Sequence, residues 1–287
     1  MRLRDIFDKW FPVVNTAGLM LIAFITLYPF WHELSLSFSS AEEATAGGFF
    51  IWPRGFTANA YVVVLKSHYL WTAYANSAFI TVIGSTLSTL LTACTAYPLI
   101  KQGMPGKNLV TFLILFTMLF GGGIIPSYLL VKELGMINSL WALMIPSAIS
   151  AYNVLVMRSF FQSLPTELEE SATMDGASLL RIFVGIIIPL SLPALATIML
   201  WEAVGQWNNF FNALIYLNDR EKYTLPVLLR DVINGQQMAE RSGQFSNTTT
   251  ESVIAATVVL TLIPILCVYP FLQKHFTKGV LIGAVKM

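Results

Sequence analysis

The chain has 287 residues, 55% of them hydrophobic and 11% charged, where soluble domains carry about 25% charged residues. Its 17 basic and 16 acidic residues leave a formal charge of +1, which excludes the basic footprint of a nucleic-acid binder. A soluble core of this size would leave too much apolar surface in water, so lipid is the expected solvent.

The N-terminus, MRLRDIFDKW, is basic and leads into an apolar run over 13–38. A signal-peptide core spans only about 7–15 residues. Ala44-Thr45-Ala46 fits a cleavage site but lies too far downstream, so the reading is an uncleaved first span. Further apolar runs cover 71–99, 108–131, 138–161, 184–217 and 252–273. Each is long enough to cross a bilayer as a helix, which needs about 20 residues and satisfies its own backbone. The fifth is too long for one straight crossing. The expectation is an all-α, polytopic membrane protein with six transmembrane helices in a single transmembrane domain over 1–287.

Polar loops are expected at 39–70 and 218–251, the second ending in SGQFSNTTTE, residues suited to capping the last helix. With the N-terminus inside, Arg2, Arg4, Lys9, Lys101, Lys107, Arg158, Arg181, Lys274, Lys278 and Lys286 fall on the cytoplasmic side. The remaining basic residues lie outside, mostly in the two long loops, where charge counts less. Both termini are therefore expected in the cytoplasm. Trp10, Trp31, Trp52 and Trp71 are expected near the membrane interfaces. Cys94 and Cys267 sit in apolar runs and read as small apolar residues. His32, His68 and His275 are scattered, so no metal site is expected.

Late in the third run, Gly121-Gly122-Gly123 with Pro126 reads either as an unwound hinge or as close packing between helices. The fifth run carries Trp201, Glu202, Gln206, Asn208, Asn209 and Asn212. At 100° per residue Glu202, Gln206 and Asn209 share one face, and Trp201, Asn208 and Asn212 fall on an adjacent one. An ionisable group inside a membrane run is a functional candidate, and indoles with amides suit sugar rings and hydroxyls. The alternative is hydrogen bonding between helices.

The stretch ELEESATMDGASLLRIFVGIIIPLSLP begins with acids, breaks at a glycine and then turns apolar. Pro165 suits a first helical turn, and Thr166 with Glu169 fits a capping box. Glu167, Glu169 and Glu170 would then sit at the positive end of a helix dipole. Asp175-Gly176 reads as the break before a second helix. The result is a helix–turn–helix in the loop 162–185, on the side shared with the N-terminus. Its acids could simply be solvated.

Glu170-Ser171-Ala172, three residues, Gly176, nine residues and Ile186-Ile187-Ile188-Pro189 resemble the E-A-A-x3-G-x9-I-x-L-P loop of binding-protein-dependent ABC importer permeases. Ser171 replaces an alanine and Ile188 a leucine. Residues 121–146, GQWNNFFNALIYL (205–217) and YPFLQKHFTKGVLIGAVKM (269–287) also look like maltose-type sugar permeases. The likeness is to a branch serving oligosaccharides, including uronic-acid oligomers. Within that branch the chain is similar to the second, shorter permease of a heterodimeric pair, as in an alginate importer.

The resemblance implies a type I importer permease in the bacterial cytoplasmic membrane. It implies a second homologous permease, two cytoplasmic ATPase subunits, an external solute-binding protein and an oligosaccharide substrate. It also makes the acidic segment a coupling helix, with Glu167, Glu169, Glu170, Ser171, Ala172, Asp175 and Gly176 as its ATPase-coupling residues. The tail 274–287, with Lys278 and Lys286, would reach the ATPase dimer, although those lysines also satisfy the positive-inside rule. The chain has no G-x-x-x-x-G-K phosphate loop, so ATP and Mg belong to the partner ATPases and no catalytic residue is expected. A self-contained secondary transporter or channel is the rival reading. It would call for several buried acids, and only Glu202 lies deep.

Overall fold

The computed structural model describes residues 3–241 and 251–267, with side chains over 10–235 and 251–267. The described residues form helices and no strands. In chain order the helices are α1 (Leu3–Ser37), α2 (Ala41–Ala46), α3 (Asn59–Leu65), α4 (His68–Ala96), α5 (Lys107–Leu119), α6 (Ile124–Glu133), α7 (Trp141–Met144), α8 (Ala151–Gln162), α9 (Glu167–Met174) and α10 (Leu179–Ile182). They continue with α11 (Ile188–Leu190), α12 (Leu192–Trp207), α13 (Phe211–Tyr216), α14 (Leu225–Arg241) and α15 (Glu251–Cys267).

Two of the apolar runs are single helices long and apolar enough to cross a membrane, Trp10–Ser37 and His68–Ile100. The third run is not continuous. It bends by 118° between α5 and α6, at Phe120–Gly123, where Gly123 has φ +82°. Nothing in this chain would meet a Cβ at Gly121 or Gly123, so within the chain the triple glycine forms an unwound bend rather than a packing contact. The fourth run is also split. α7 and α8 are separated by Ile145–Ser150, which contains Pro146, and proline cannot donate the helical hydrogen bond.

The fifth run bends by 79° between Leu190 and Leu192. Pro189 has no N–H and its ring crowds the carbonyl four residues earlier, and the helix opens into a π turn over Phe183–Ile187 just before it. Pro193 then occupies the first turn of α12. Counting each bent pair as one span gives up to four membrane crossings, and α15 is a shorter apolar helix. The expected loop 218–251 is largely structured. α14 occupies it up to Arg241, while the capping segment 242–250 lies outside the described residues.

The chain divides into two compact units. The first holds the residues up to Leu70 together with Leu229–Pro264. Here the segment after α1 folds back on the helix end. The Trp31 indole donates to the Ile51 carbonyl at 2.6 Å, and the Thr57 and Ser40 amides bond the Phe38 and Arg54 carbonyls at 2.9 Å each. Leu36, Ala44, Phe50 and Ala255 form its small core. The four tryptophans expected at interfaces, Trp10, Trp31, Trp52 and Trp71, are all exposed.

The second unit is built on Trp71–Leu228 and has two apolar clusters. One gathers Ala93, Ala96 and Leu99 with Val154, Met157 and Phe161 of α8 and with Ile182, Ile187 and Ile198. The other joins Ile80, Val131, Leu143, Met144, Ala213 and Tyr216. Segment 218–225 is pinned to this second cluster's side. The Asn138 side chain accepts from the Asn218 and Asp219 amides at 3.2 and 3.1 Å. Asn76 donates to the Glu221 and Tyr223 carbonyls at 2.9 and 3.0 Å.

Candidate functional site

The acidic segment folds as the helix–turn–helix that its spacing suggests. α9 ends at Asp175, and Gly176 follows with φ +77°. The Ala177 amide bonds the Ala172 carbonyl and the Gly176 amide bonds the Thr173 carbonyl, both at 3.0 Å. This pair of bonds is a Schellman closure, which needs a left-handed residue after the cap. The Ser178 hydroxyl then accepts from the Arg181 amide at 3.4 Å and caps α10.

The N-terminal end differs from the expected capping box. Thr166 is itself helical, with φ −68° and ψ −26°, and makes no side-chain cap bond. Its carbonyl instead receives the Glu169 and Glu170 amides at 3.1 Å each. The Glu169 carboxylate is drawn away by Lys101, whose ammonium donates to Glu169 Oε2. Lys101 also lies 4.4 Å from the Tyr97 ring centroid. Burial works to lower the pKa of Lys101, but hydrogen bonding and attraction to Glu169 and Tyr97 outweigh it and hold it above the usual 10.5.

Glu167, Glu170, Ser171, Asp175 and Gly176 are exposed, and Ala172 is half-buried against the first cluster. The exposed side is not purely acidic. Met174 is 89% exposed, and Leu168, Leu179 and Leu180 are exposed beside it. An acidic surface studded with large apolar side chains favours a protein partner over free water. The sequence reading missed these residues, although Met174, Leu179 and Leu180 flank the turn on both sides.

The polar stretch of the fifth run divides in two. α12 stops at Trp207 with Asn208 as its cap, so the helical phase that aligned Asn209 with Glu202, and Asn212 with Trp201, is not carried past it. Glu202 accepts from Asn153 of α8 at 2.5 Å. Gln206 is buried, and its amide donates to Ser147 at 3.4 Å. A Cβ at Gly84 would lie 3.2 Å from both the Gln206 and Met144 side chains, which would have to give by a few tenths of an ångström, so the glycine eases the close approach of α4 to Gln206 of α12. Within this chain Glu202 is bonded to α8 and Gln206 to the break between α7 and α8, while Gln206 Oε1 is buried without a hydrogen-bond partner.

Trp201 and Asn208 are exposed, and Asn209 and Asn212 are half-buried. The Trp201 ring lies 5.9 Å from that of Tyr152. The Asn208 amide turns back to the Val204 carbonyl at 2.9 Å. Asn153, Ser147, Gly84 and Lys101 were not singled out from sequence. Asn153 had a signal, being an amide inside an apolar run. Lys278 and Lys286 lie outside the described residues. Among the described residues no group of His, Cys, Asp and Glu is arranged to hold a metal ion.

An all-helical chain with bent apolar helix pairs and an exposed acidic helix–turn–helix is the architecture of a membrane transport subunit. The chain belongs to the family of binding-protein-dependent transport system inner membrane components, which matches residues 73–282. It is 42% identical over 284 residues to the polygalacturonan/rhamnogalacturonan transport system permease protein YtcP of Bacillus subtilis, covering 97% of this chain and 99% of that one. It is 27% identical to the arabinooligosaccharides transport system permease protein AraQ of Halalkalibacterium halodurans over 97% of this chain and 99% of that one. A chain in the crystal structure of a bacterial ABC transporter that imports the acidic polysaccharide alginate superposes with a TM-score of 0.87 and 37% identity, covering 94% of this chain and 97% of that chain. The protein is therefore a multi-pass permease subunit of an ABC importer.

Proposed function

We propose that this permease carries acidic oligosaccharides, uronic-acid oligomers in particular, across the bacterial cytoplasmic membrane. It works as one half of a heterodimer with a homologous permease and spans the membrane six times with both termini in the cytoplasm. An external solute-binding protein delivers the sugar. Two cytoplasmic ATPase subunits bind ATP and Mg and dock on the loop 162–185 through Glu167, Glu170, Ser171, Asp175 and Gly176, with Ala172 seating the loop on the permease. The tail 274–287, with Lys278 and Lys286, reaches the ATPase pair. Trp201, Asn208, Asn209 and Asn212 border the sugar's path, while Glu202 and Gln206 hold the neighbouring helices beside it.

The observation that carries this reading is the exposed, Schellman-closed turn at Gly176 with its mixed acidic and apolar face, in a chain of the importer family. The acidic substrate class is supported by the polygalacturonan and alginate transporters among its relatives. The test is to co-purify the native assembly, reconstitute it in liposomes and measure ATP hydrolysis and uptake of labelled galacturonic-acid and mannuronic-acid trimers against maltotriose. ATP-dependent entry of a uronate, with maltotriose left outside, is expected. Entry of maltotriose alone would overturn the acidic assignment, and uptake by the isolated chain under a proton gradient would overturn the ABC coupling.

A further inference from the structure

We infer that Lys101, Tyr97 and Glu169 form a latch that makes the coupling helix α9 and the end of α4 move as one body. The inference rests on the reading of α9 as the element that docks on the ATPase. Lys101 is the residue that closes the turn Pro98–Ile100 at the end of α4, and its ammonium reaches Glu169 across 68 positions of sequence. The ring it covers, Tyr97, stacks on Phe183 with centroids 4.8 Å apart and planes 28° from parallel. Phe183 belongs to the helix that leaves the coupling turn. The last turn of α4 therefore holds the segment before Gly176 by charge and the segment after it by ring contact. A hydrogen bond from Lys107 to the Lys101 carbonyl at 3.3 Å braces the same corner.

The three acids of α9 consequently have different duties. Glu167 and Glu170 are exposed, whereas the Glu169 side chain is 22% exposed and paired with a lysine side chain that is 27% exposed. Its second oxygen is buried without a hydrogen-bond partner. A pair largely withdrawn from water attracts more strongly than a surface pair, and removing one member leaves the other charge uncompensated. The left-handed link at Gly176 is a place where a push on α9 could be absorbed by rotation of the turn. The latch bypasses that link and delivers the push to α4, whose Gly84 packs against Gln206 of α12.

The test uses the complete reconstituted transporter, with Cys94 and Cys267 replaced by serine and spin labels at Thr173 on α9 and Leu90 on α4, both exposed in this chain. The distance between the labels is measured by pulsed electron resonance without nucleotide and with a non-hydrolysable ATP analogue. It is expected to stay constant in the parent and to shift by several ångströms between the two states in Lys101→Met and Glu169→Gln. The swap Lys101→Glu/Glu169→Lys should restore a constant distance. The ATP hydrolysis stimulated by the solute-binding protein should fall roughly fivefold in each single variant and recover in the swap, the size of effect that coupled pairs show in mutant cycles.

A parent distance that changes with nucleotide, single variants that behave as the parent, or a swap that fails to restore would each overturn the latch. Dissociation of the ATPase subunits from the single variants during purification would also overturn it, because Glu169 would then face the partner. Glu170→Lys in the same background tests the underlying reading separately. If that variant keeps its ATPase and its coupling, the docking assignment fails; if it loses them while Lys101→Met behaves as the parent, only the latch fails.

Discussion

The turn at Asp175–Gly176 and the polar stretch from Trp201 to Asn212 are built by opposite means. The turn closes on itself, with two backbone bonds inside a six-residue window and a left-handed glycine. Its outer side chains are left unpaired within the chain's core and form a surface. The polar stretch is closed by residues far away in sequence. Asn153 and Ser147 take up Glu202 and the Gln206 amide nitrogen, and what remains exposed is Trp201 within α12 and Asn208 at its end. A locally closed element frees its side chains for a partner, whereas a polar residue on a packed helix is first drawn on by its neighbours, as the Gln206 amide nitrogen is by Ser147.

The largest effect should come from breaking the local closure. Gly176→Val places a β-branched residue at φ +77°, where an L-residue costs about 1–2 kcal/mol and a β-branched one is a true outlier. Space is not the obstacle, since nothing lies within 4 Å of the position a Cβ would take. Gly176→Asn should therefore be tolerated, because asparagine visits this region readily. Uptake in liposomes is expected to be abolished by Val and nearly preserved by Asn. Equal loss in both would mean that bulk, rather than backbone conformation, is what the docking surface rejects. Glu170→Lys should match Val through charge alone, since it reverses an exposed acid in the first turn of α9 and weakens the favourable dipole interaction.

Breaking the long-range closure should cost stability first. Asn153 is 5% exposed, and Asn153→Leu would take the Asn153 amide donor from the Glu202 carboxylate, which Ser88 also faces, at a cost of about 1–3 kcal/mol. Glu202→Gln keeps an acceptor for Asn153 and should cost little. The readout is thermal aggregation of the purified complex in detergent. Should Asn153→Leu melt like the parent while changing sugar selectivity, Glu202 would belong to the path and not to the packing.

The triple glycine sharpens the comparison at smaller scale. Gly123 has φ +82° and ψ 177°, a region that only glycine adopts freely, and a side chain there costs on the order of 1–3 kcal/mol. Gly121 has no positive φ and open space around it. Gly123→Ala should lower transport and thermal stability, and Gly121→Ala should change neither. Equal effects at both positions would mean that a partner permease packs on this bend.

What could be read from the residues follows the same division. The turn at Gly176 was legible because a Schellman closure depends on spacing alone, and Ala172, Gly176 and Ala177 fix it. The capping box at Thr166 was misread because Lys101, which closes the turn after α4, draws the Glu169 carboxylate away. Apolar runs were legible as helices, with the break in the fifth signalled by its length and prolines and a hinge at the triple glycine left as one of two readings, but the split at Pro146 was not legible. Pro146, Pro189 and Gly123 break three of them at points where the surrounding composition stays apolar. α14 was missed because its mixed polar composition reads as loop when only hydropathy is followed. The face shared by Glu202, Gln206 and Asn209 assumed a helix that continues, and the helix ends at Trp207.

The smallest effect is expected at Asn208, and it tests how far the path reaches. Its side chain is exposed but already bonded to the Val204 carbonyl of its own helix, so it is half-committed to capping α12. Asn208→Ala removes a local bond worth about 0.5–1.5 kcal/mol and leaves the Phe210-to-Asn208 backbone bond at 2.7 Å in place. Trp201→Ala removes an exposed indole next to Tyr152, a ring pair suited to a sugar face. If both residues border the path, Trp201→Ala should raise the sugar concentration needed for half-maximal uptake several-fold, and Asn208→Ala should raise it less than twofold, with ATP hydrolysis unchanged in both. A larger effect at Asn208 would shift the path to the helix end, toward Asn209 and Asn212. Unchanged uptake in both variants would leave Trp201 as a lipid-facing or partner-facing side chain and would assign the sugar contacts to the second permease.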